Sequence, residues 1–246
     1  MADHIADHMA DYNVLPAGDT ALVVDFGNRV DLKLSARVLA LGRRLDELHL
    51  DGIIETVPTS RSLSVYYEPL SISAAALQGH IVDILENLPE VAVTGRRWHI
   101  PVCYDCEFGL DLREVAERCN LSMGQVVELH SSVTYHVYML GFLPGLAYLG
   151  DVPEQLALPR RVTPRPRIDA GSLGMGGRMT CVFPMETPCG FHVLGRSPVA
   201  LWDQRLENGA VLKAGDKVTF RPVSLREYES VRAEGISAAT LMQLTH

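Results

Sequence analysis

The stretch from Tyr135 to Asp203 is interrupted by Gly, Pro and Arg at short intervals, which constrains the fold. Short apolar runs between such residues are typical of a β-barrel or β-sandwich. Gly allows backbone shapes at positions where ordinary residues fail, Pro fixes φ, and Arg adds a rigid positive fork that suits carboxylates or phosphates. We therefore predict a β-rich domain whose loops form a pocket for a small anionic molecule. The motifs are YMLGFLPG (138–145), PRRVTPR (159–165), AGSLG (170–174), FPMETP (183–188) and GRSP (195–198).

The first hundred residues alternate between strand and helix patterns. Leu34, Val38, Leu41 and Leu45 recur at helical spacing and predict a helix over residues 32–48. A second helix is predicted over 73–88, and strands over 21–26, 53–57, 63–67 and 91–102. This β-α-β-β-α-β order predicts a ferredoxin-like α/β sandwich, and the whole chain is assigned to the α+β class.

We predict four segments along the chain: a disordered leader (1–12), an N-terminal α+β domain (13–95), a β-barrel domain (96–223) and a C-terminal helix with a tail (224–246). Two short helices are predicted at the start of the barrel domain, over 111–119 and 122–130. Asp111 with Glu114, and Ser122 with Gln125, have the spacing of a capping box.

Composition excludes several classes of function. A net charge of −8 without a Lys/Arg tract argues against a nucleic-acid partner, and no apolar run approaches the ~20 residues of a membrane span. The acidic N-terminus lacks the features of a signal peptide, and five cysteines cannot all pair, so we expect a cytoplasmic protein. Cys103 and Cys106 form a Cys-x-x-Cys without a second pair at zinc spacing, so we predict no metal site.

The arginines are the strongest candidates for binding. Arg160, Arg165 and Arg196 each stand beside Pro or Gly, and a guanidinium holds a carboxylate or phosphate through charge-assisted bonds worth about 1.5–3 kcal/mol. The alternative is that some of them brace loops. Weaker candidates are Arg161, Arg167 and Arg178.

Glu186 and His192 are the candidate catalytic bases, with loop capping and a polar contact as their alternatives. Ser172 lies outside any Gly-x-Ser-x-Gly motif, so we predict a hydrogen-bond donor to substrate or a turn residue rather than a nucleophile.

Glycines 174, 176 and 177 are candidates for cofactor binding. The chain has no P-loop motif, but Gly174, Gly176 and Gly177 could cradle a phosphate with their backbone N–H groups. A tight turn between strands explains the same residues.

These motifs, with LPAGD (15–19), PVCY (101–104), EFG (107–109) and AGDKV (214–218), resemble subunit 1 of the allophanate hydrolase-like family. That family includes the B-type subunits of 5-oxoprolinase and Kip-type inhibitors of a sensor kinase, and it is related to part of the urea carboxylase carboxyltransferase domain. The resemblance implies a cyclophilin-like β-barrel, and it adds Tyr138 and Thr180 to the predicted substrate contacts.

The resemblance further implies the B-type component of an ATP-dependent 5-oxoprolinase, with ATP and Mg bound in the assembled complex. ATP would phosphorylate the carbonyl oxygen of 5-oxoproline, and water would open the ring to glutamate. The partners implied are a homologous C-type subunit, which is similar to allophanate hydrolase subunit 2, and a separate A-type subunit. We expect little activity from the chain alone. Two alternatives stay open: allophanate hydrolase or urea-carboxylase-type carboxyl transfer, and inhibition of a histidine kinase.

Four residues depart from the family pattern. Met179 stands where relatives have Gln, Arg178 and Cys181 stand where they have small residues, and Cys189 replaces a Gly. A lost amide and an added charge are expected to alter the substrate or impair activity.

Overall fold

The computed structural model describes residues 12–89, 95–206 and 208–235. The chain divides into two compact units, residues 1–93 and 94–246. The predicted leader, apart from Tyr12, and the tail beyond residue 235 lie outside the described residues. Within the described ranges, no helix combines the length and the apolar character needed to cross a membrane.

The first unit is a four-stranded sheet with two helices. Asp31 starts α1 by accepting a hydrogen bond from the Leu34 N–H at 2.9 Å, and Ser73 starts α2 in the same way. Apolar residues of both helices share one buried cluster with alternate residues of the central strands, as helical and strand periodicity require. The elements are β1 (Asn13–Pro16), β2 (Ala21–Asp25), α1 (Leu32–Leu48), β3 (Ile53–Pro58), β4 (Ser62–Tyr67) and α2 (Ala74–Glu86).

The predicted order of this unit is wrong at one strand. Its sheet runs β1-β2-β4-β3, and the strand predicted over 91–102 appears as Arg97–Val102 in the sheet of the second unit. Beside β2 lies β1 instead, with Val14 paired to Val24. The observed order is therefore β-β-α-β-β-α, and the ferredoxin-like assignment is not confirmed.

The second unit is built on a seven-stranded sheet that nearly closes into a barrel. The strands run in the order β12-β9-β10-β7-β6-β13-β5, and Cys103 and Arg196 exchange two backbone hydrogen bonds of 2.9 Å that join the first strand to the last. The chain is thus a barrel-containing α+β protein, while the cyclophilin-like type stays a prediction. The elements are β5 (Arg97–Val102), α3 (Leu112–Cys119), α4 (Met123–Ser131), β6 (Tyr135–Leu140), β7 (Ala147–Gly150), a 3-10 helix (Glu154–Leu156), β8 (Arg165–Ile168), β9 (Ser172–Gly176), β10 (Met179–Val182), β11 (Thr187–Cys189), β12 (His192–Arg196), β13 (Lys217–Pro222) and α5 (Leu225–Glu234).

Strand alternation divides apolar side chains of the barrel strands between a large cluster and a smaller one. Leu173 and Met175 of β9 belong to the large core, which also contains residues of β5, β6, β7 and β13. Cys181, Phe183 and Phe191 belong to a separate, smaller cluster. The smaller cluster carries the pocket described next.

Candidate functional site

A small pocket of about 110 Å³ opens beside the smaller apolar cluster. Most of its walls are aromatic, aliphatic or thiol groups, and two side chains bring strong polar donors, Arg160 and Tyr148. A concave pocket that combines apolar side chains with a few polar groups is the usual form of a small-molecule site. The lining residues are Phe142, Leu146, Tyr148, Arg160, Cys181, Phe183, Pro188, Cys189, Gly190 and Phe191.

Arg160 brings an uncompensated positive charge to the pocket. Its guanidinium carbon lies 4.8 Å from the centre of the Phe191 ring, and no carboxylate of the described ranges pairs with it. Gly176 makes room for this stack, because a Cβ there would lie 2.9 Å from the Phe191 ring and 3.2 Å from the Cγ of Arg160. The predicted binding role of Arg160 therefore has a geometry that suits an anion.

Tyr148 brings the second polar group. It stands in β7 between Ala147 and Leu149, which face the large core, so strand alternation turns Tyr148 towards the pocket. Its hydroxyl makes no hydrogen bond within the described part of the chain. Burial raises the pKa of Tyr148, the nearby Cys181 thiol adds to the rise, and Arg160 opposes it. At neutral pH the group is thus a phenol that can donate a hydrogen bond.

Two cysteine side chains also line the pocket. Cys181 and Cys189 are both buried and both free of disulfides. Burial raises the pKa of Cys181 well above its usual value, and burial is also the main cause of the raised pKa of Cys189. Both side chains are therefore neutral and act as small apolar groups rather than as nucleophiles.

Phe142 lies at the rim of the pocket in a left-handed backbone conformation. Its φ is +71°, and its side chain is 70% exposed. This conformation costs a non-glycine residue roughly 1–2 kcal/mol, and such residues cluster at functional sites. The strained loop of 141–145 therefore supports a functional role for the pocket.

Arg165 has a different role from the one predicted. It holds the buried carboxylate of Asp111 through two bonds, Nη1 to Oδ2 at 2.6 Å and Nη2 to Oδ1 at 2.7 Å. Arg161 donates to Asp111 Oδ1 at 2.7 Å, and the Val193 N–H donates to Oδ2 at 2.7 Å. Arg165 thus ties α3, β8 and β12 together, as the bracing alternative proposes, instead of facing a ligand.

Asp111, Glu114 and His192 offer ligand atoms within 4.8 Å of one another, a spacing that could suit a metal ion. Nη1 of Arg161 already bridges the two carboxylates, at 2.7 Å from Asp111 and 3.1 Å from Glu114. The guanidinium group therefore takes the place of a cation. The capping box predicted at Asp111 is wrong for the same reason, since its side chain is held by these arginines and makes no capping hydrogen bond.

His192 and Glu186 do not reach the pocket as bases. His192 is fully buried and its Nε2 lies 3.0 Å from the carbonyl oxygen of Pro159, to which it donates. Glu186 is exposed and pairs with Arg167 at 2.6 Å. Neither side chain lines the pocket, so the structure does not support their predicted catalytic roles.

Thr180 is committed to a chain of hydrogen bonds in the barrel. Its hydroxyl donates to the carbonyl of Gly174 at 2.9 Å and lies 3.0 Å from Nε2 of His130, whose Nδ1 lies 3.0 Å from the Tyr104 hydroxyl. Because Thr180 uses its proton on Gly174, His130 must donate through Nε2 and accept through Nδ1. The hydroxyl of Thr180 is therefore not available to a substrate.

Arg196 and Ser172 lie near the closure of the barrel. Arg196 donates to Asp169 at 2.6 Å, and its guanidinium carbon lies 4.8 Å from the centre of the Phe108 ring. Ser172 is buried at the start of β9. Neither residue lines the pocket. The predicted substrate contacts are thus dispersed, and Arg160 alone among the three arginines faces the pocket.

Tyr138 is also engaged elsewhere. Its hydroxyl donates to the carboxylate of Asp151 at 3.0 Å, and its ring packs edge-on against His136. Gly150 is required here, because a Cβ at that position would overlap the Tyr138 ring.

The three glycines do not form a phosphate cradle. Gly174 and Gly176 lie within β9, which pairs with β10 on one side and β12 on the other. The Gly177 N–H donates to the carbonyl of Leu158 at 2.7 Å. The alternative, strands joined by a tight turn, describes these residues.

Comparison with known proteins assigns the family. The sequence pattern of the carboxyltransferase domain, subdomains C and D, matches residues 12–212. A Bacillus subtilis (strain 168) protein named as the B subunit of 5-oxoprolinase is 36% identical over 234 residues, covering 91% of this chain and 98% of that protein. Its namesake in Escherichia coli O157:H7 is 38% identical over 206 residues, covering 83% and 93%.

A solved structure agrees with this assignment. The crystal structure of TTHA0988 superposes with a TM-score of 0.74 at 36% identity, and the match covers 83% of this chain. This chain spans only 40% of the length of that one. On sequence and fold together, the chain belongs to the family of the carboxyltransferase domain, subdomains C and D.

Proposed function

We propose that this chain is the B-type subunit of an ATP-dependent 5-oxoprolinase, which converts 5-oxoproline, ATP and water to L-glutamate, ADP and phosphate. The observation that carries the proposal is the match to two proteins named as B subunits of 5-oxoprolinase over 98% and 93% of their lengths. A match over nearly the whole length supports an equivalent role more strongly than a shared domain does.

The chemistry of the pocket suits this substrate. 5-Oxoproline is a five-membered lactam ring with one carboxylate, and Arg160 offers one unpaired guanidinium beside walls of Leu146, Phe183 and Phe191. A carboxylate gains a charge-assisted hydrogen bond there, while the methylene groups of the ring leave water. We infer that this chain contributes substrate binding to the reaction.

ATP is assigned to the assembled complex and not to the glycines of this chain, whose backbone groups are already paired. We accordingly derive no step of the reaction through ATP here. The partners remain a homologous C-type subunit and a separate A-type subunit, and we place the complex in the cytoplasm, as the unpaired cysteines predict.

The test is release of glutamate from 5-oxoproline and ATP by this chain with and without its C-type and A-type partners. We expect activity only from the full set, and a large loss with Arg160→Met. Arg178→Met is the matched control, because Arg178 is exposed and does not line the pocket. A properly folded complex that releases no glutamate would contradict the proposal.

Carboxyl transfer of the urea carboxylase type is the second candidate, favoured by the description of the family itself. It predicts that the complex consumes carboxybiotin instead of 5-oxoproline. Kinase inhibition stays a prediction from resemblance alone.

A further inference from the structure

We propose that the pocket recognises its ligand at two points and selects against a charged amine: Arg160 holds a carboxylate, and the Tyr148 hydroxyl donates to an amide carbonyl. This inference rests on the proposed function and names how the substrate of that function is distinguished from its product.

The hydrogen-bond donors of the pocket indicate which groups a ligand must carry. Of the lining side chains, Arg160 and Tyr148 are the strong hydrogen-bond donors, and neither has a hydrogen-bonding or ionic partner in the described ranges. Two donors without protein partners can both be used by a ligand that supplies two acceptors. A carboxylate is the acceptor that suits a guanidinium, and a carbonyl oxygen suits a phenol.

The charge of the lining limits which ligands can bind. The lining holds one cation and no carboxylate. A ligand with one carboxylate is neutralised there, whereas ring opening leaves the net charge unchanged but adds an ammonium and a second carboxylate, for which the lining offers no further charged partner. The nitrogen of a lactam is neutral, and the nitrogen of glutamate is a cation. The pocket therefore favours the closed ring over the open product.

The other side chains of the lining are uncharged. Cys181 and Cys189 carry neutral thiols, and Phe183 and Phe191 contribute aromatic rings, so these four side chains add no charge to the pocket. Such walls suit the methylene groups of a small ring and offer nothing to further polar substituents. Carboxylate, carbonyl and ring together define a cyclic N-acyl amino acid.

The experiment is a set of calorimetric titrations with ligands that each lack one feature, on the full chain and on the complex with its partner subunits. 5-Oxoproline has both groups, cyclopentanecarboxylate lacks the amide, 2-pyrrolidinone lacks the carboxylate, and L-glutamate replaces the amide by an ammonium and a second carboxylate. The variants are Tyr148→Phe and Arg160→Met, with Tyr66→Phe and Arg178→Met as controls outside the pocket. Matching melting temperatures establish that each variant is folded.

We expect Tyr148→Phe to weaken the binding of 5-oxoproline about three- to tenfold and to leave the binding of cyclopentanecarboxylate unchanged. Arg160→Met should weaken the binding of 5-oxoproline and of cyclopentanecarboxylate by about tenfold or more. It should leave the binding of 2-pyrrolidinone unchanged. L-Glutamate should bind the wild-type chain more weakly than 5-oxoproline. Equal effects of Tyr148→Phe on 5-oxoproline and cyclopentanecarboxylate, or tighter binding of glutamate, would overturn the inference.

Activity assays separate this inference from the proposed function. If the complex hydrolyses 5-oxoproline and both variants keep the wild-type KM, the pocket is not the substrate site and the inference fails while the function stands. If the complex is inactive but the titrations follow the expected pattern, the inference stands and the assigned reaction fails.

Discussion

Acid should destabilise the barrel unit through His130. This side chain has no exposed surface, and both of its ring nitrogens are occupied, by the Tyr104 hydroxyl at one end and the Thr180 hydroxyl at the other, each at 3.0 Å. Burial lowers the pKa of His130 from 6.5 to about 3. The folded protein therefore keeps a neutral imidazole at pH values where the unfolded chain binds a proton.

The size of the effect follows from this difference in pKa. Above pH 6.5 neither state is protonated and the contribution of His130 to stability is fully present. As the pH falls below that value, the unfolded chain gains a proton and each pH unit removes about 1.4 kcal/mol. At a pH of about 4.5 the loss reaches roughly 3 kcal/mol, and it levels off only near the folded pKa of about 3.

Urea unfolding followed by tryptophan fluorescence measures this loss. Trp98 and Trp202 both lie in the second unit, so the signal reports that unit and not the first. Between pH 7 and about 4.5 the free energy of unfolding should decrease less for His130→Gln than for the wild type. The two decreases should differ by roughly 3 kcal/mol. His80→Gln, at an exposed position in the first unit, should not change the decrease. Equal losses in the wild type and His130→Gln would refute the argument.

Two further predictions concern packing, and thermal unfolding checks both. Asp111→Asn should cost about 3 kcal/mol or more, because it leaves two partly buried guanidinium groups without their carboxylate, whereas Asp203→Asn breaks an exposed pair and should leave the melting temperature unchanged. An equal effect of the two changes would contradict the role of Asp111. Gly150→Ala should destabilise by about 1–3 kcal/mol because its Cβ would clash with the Tyr138 ring, while Gly79→Ala meets nothing within 4 Å in its helix and should stabilise by up to about 1 kcal/mol. A neutral Gly150→Ala would show that the ring can move aside.

Local signals predicted the local structure well. The helix over 32–48 agrees with α1 at both ends. Its apolar spacing lies within the segment, and its cap, Asp31, comes directly before it, so both signals are local. The capping box of Ser122 and Gln125 is confirmed in the same way. The strand at 97–102 was assigned to the wrong sheet because its partner β13 begins only at Lys217, and no local pattern encodes that pairing.

Contacts between residues distant in sequence also explain why the roles of the site residues could not be predicted from their motifs. Arg160, Arg165 and Arg196 all stand beside Pro or Gly, and the sequence predicts one role for the three. The structure separates them by what faces each guanidinium: Asp111 holds Arg165, Asp169 holds Arg196, and Arg160 lies over an aromatic ring. Asp111 lies 54 residues from Arg165, so its effect on that arginine is invisible to a motif.

Four residues depart from the family pattern, and their positions determine whether they can affect the pocket. Arg178 is exposed, and neither it nor Met179 lines the pocket, so the added charge and the lost amide do not act on a ligand there. Cys181 and Cys189 do line it, and Cys189 takes a backbone conformation outside the left-handed region that would require Gly. Two neutral thiols in place of smaller residues occupy volume without adding charge. The departures that reach the pocket therefore bear on its volume, and its positive charge is still supplied by Arg160.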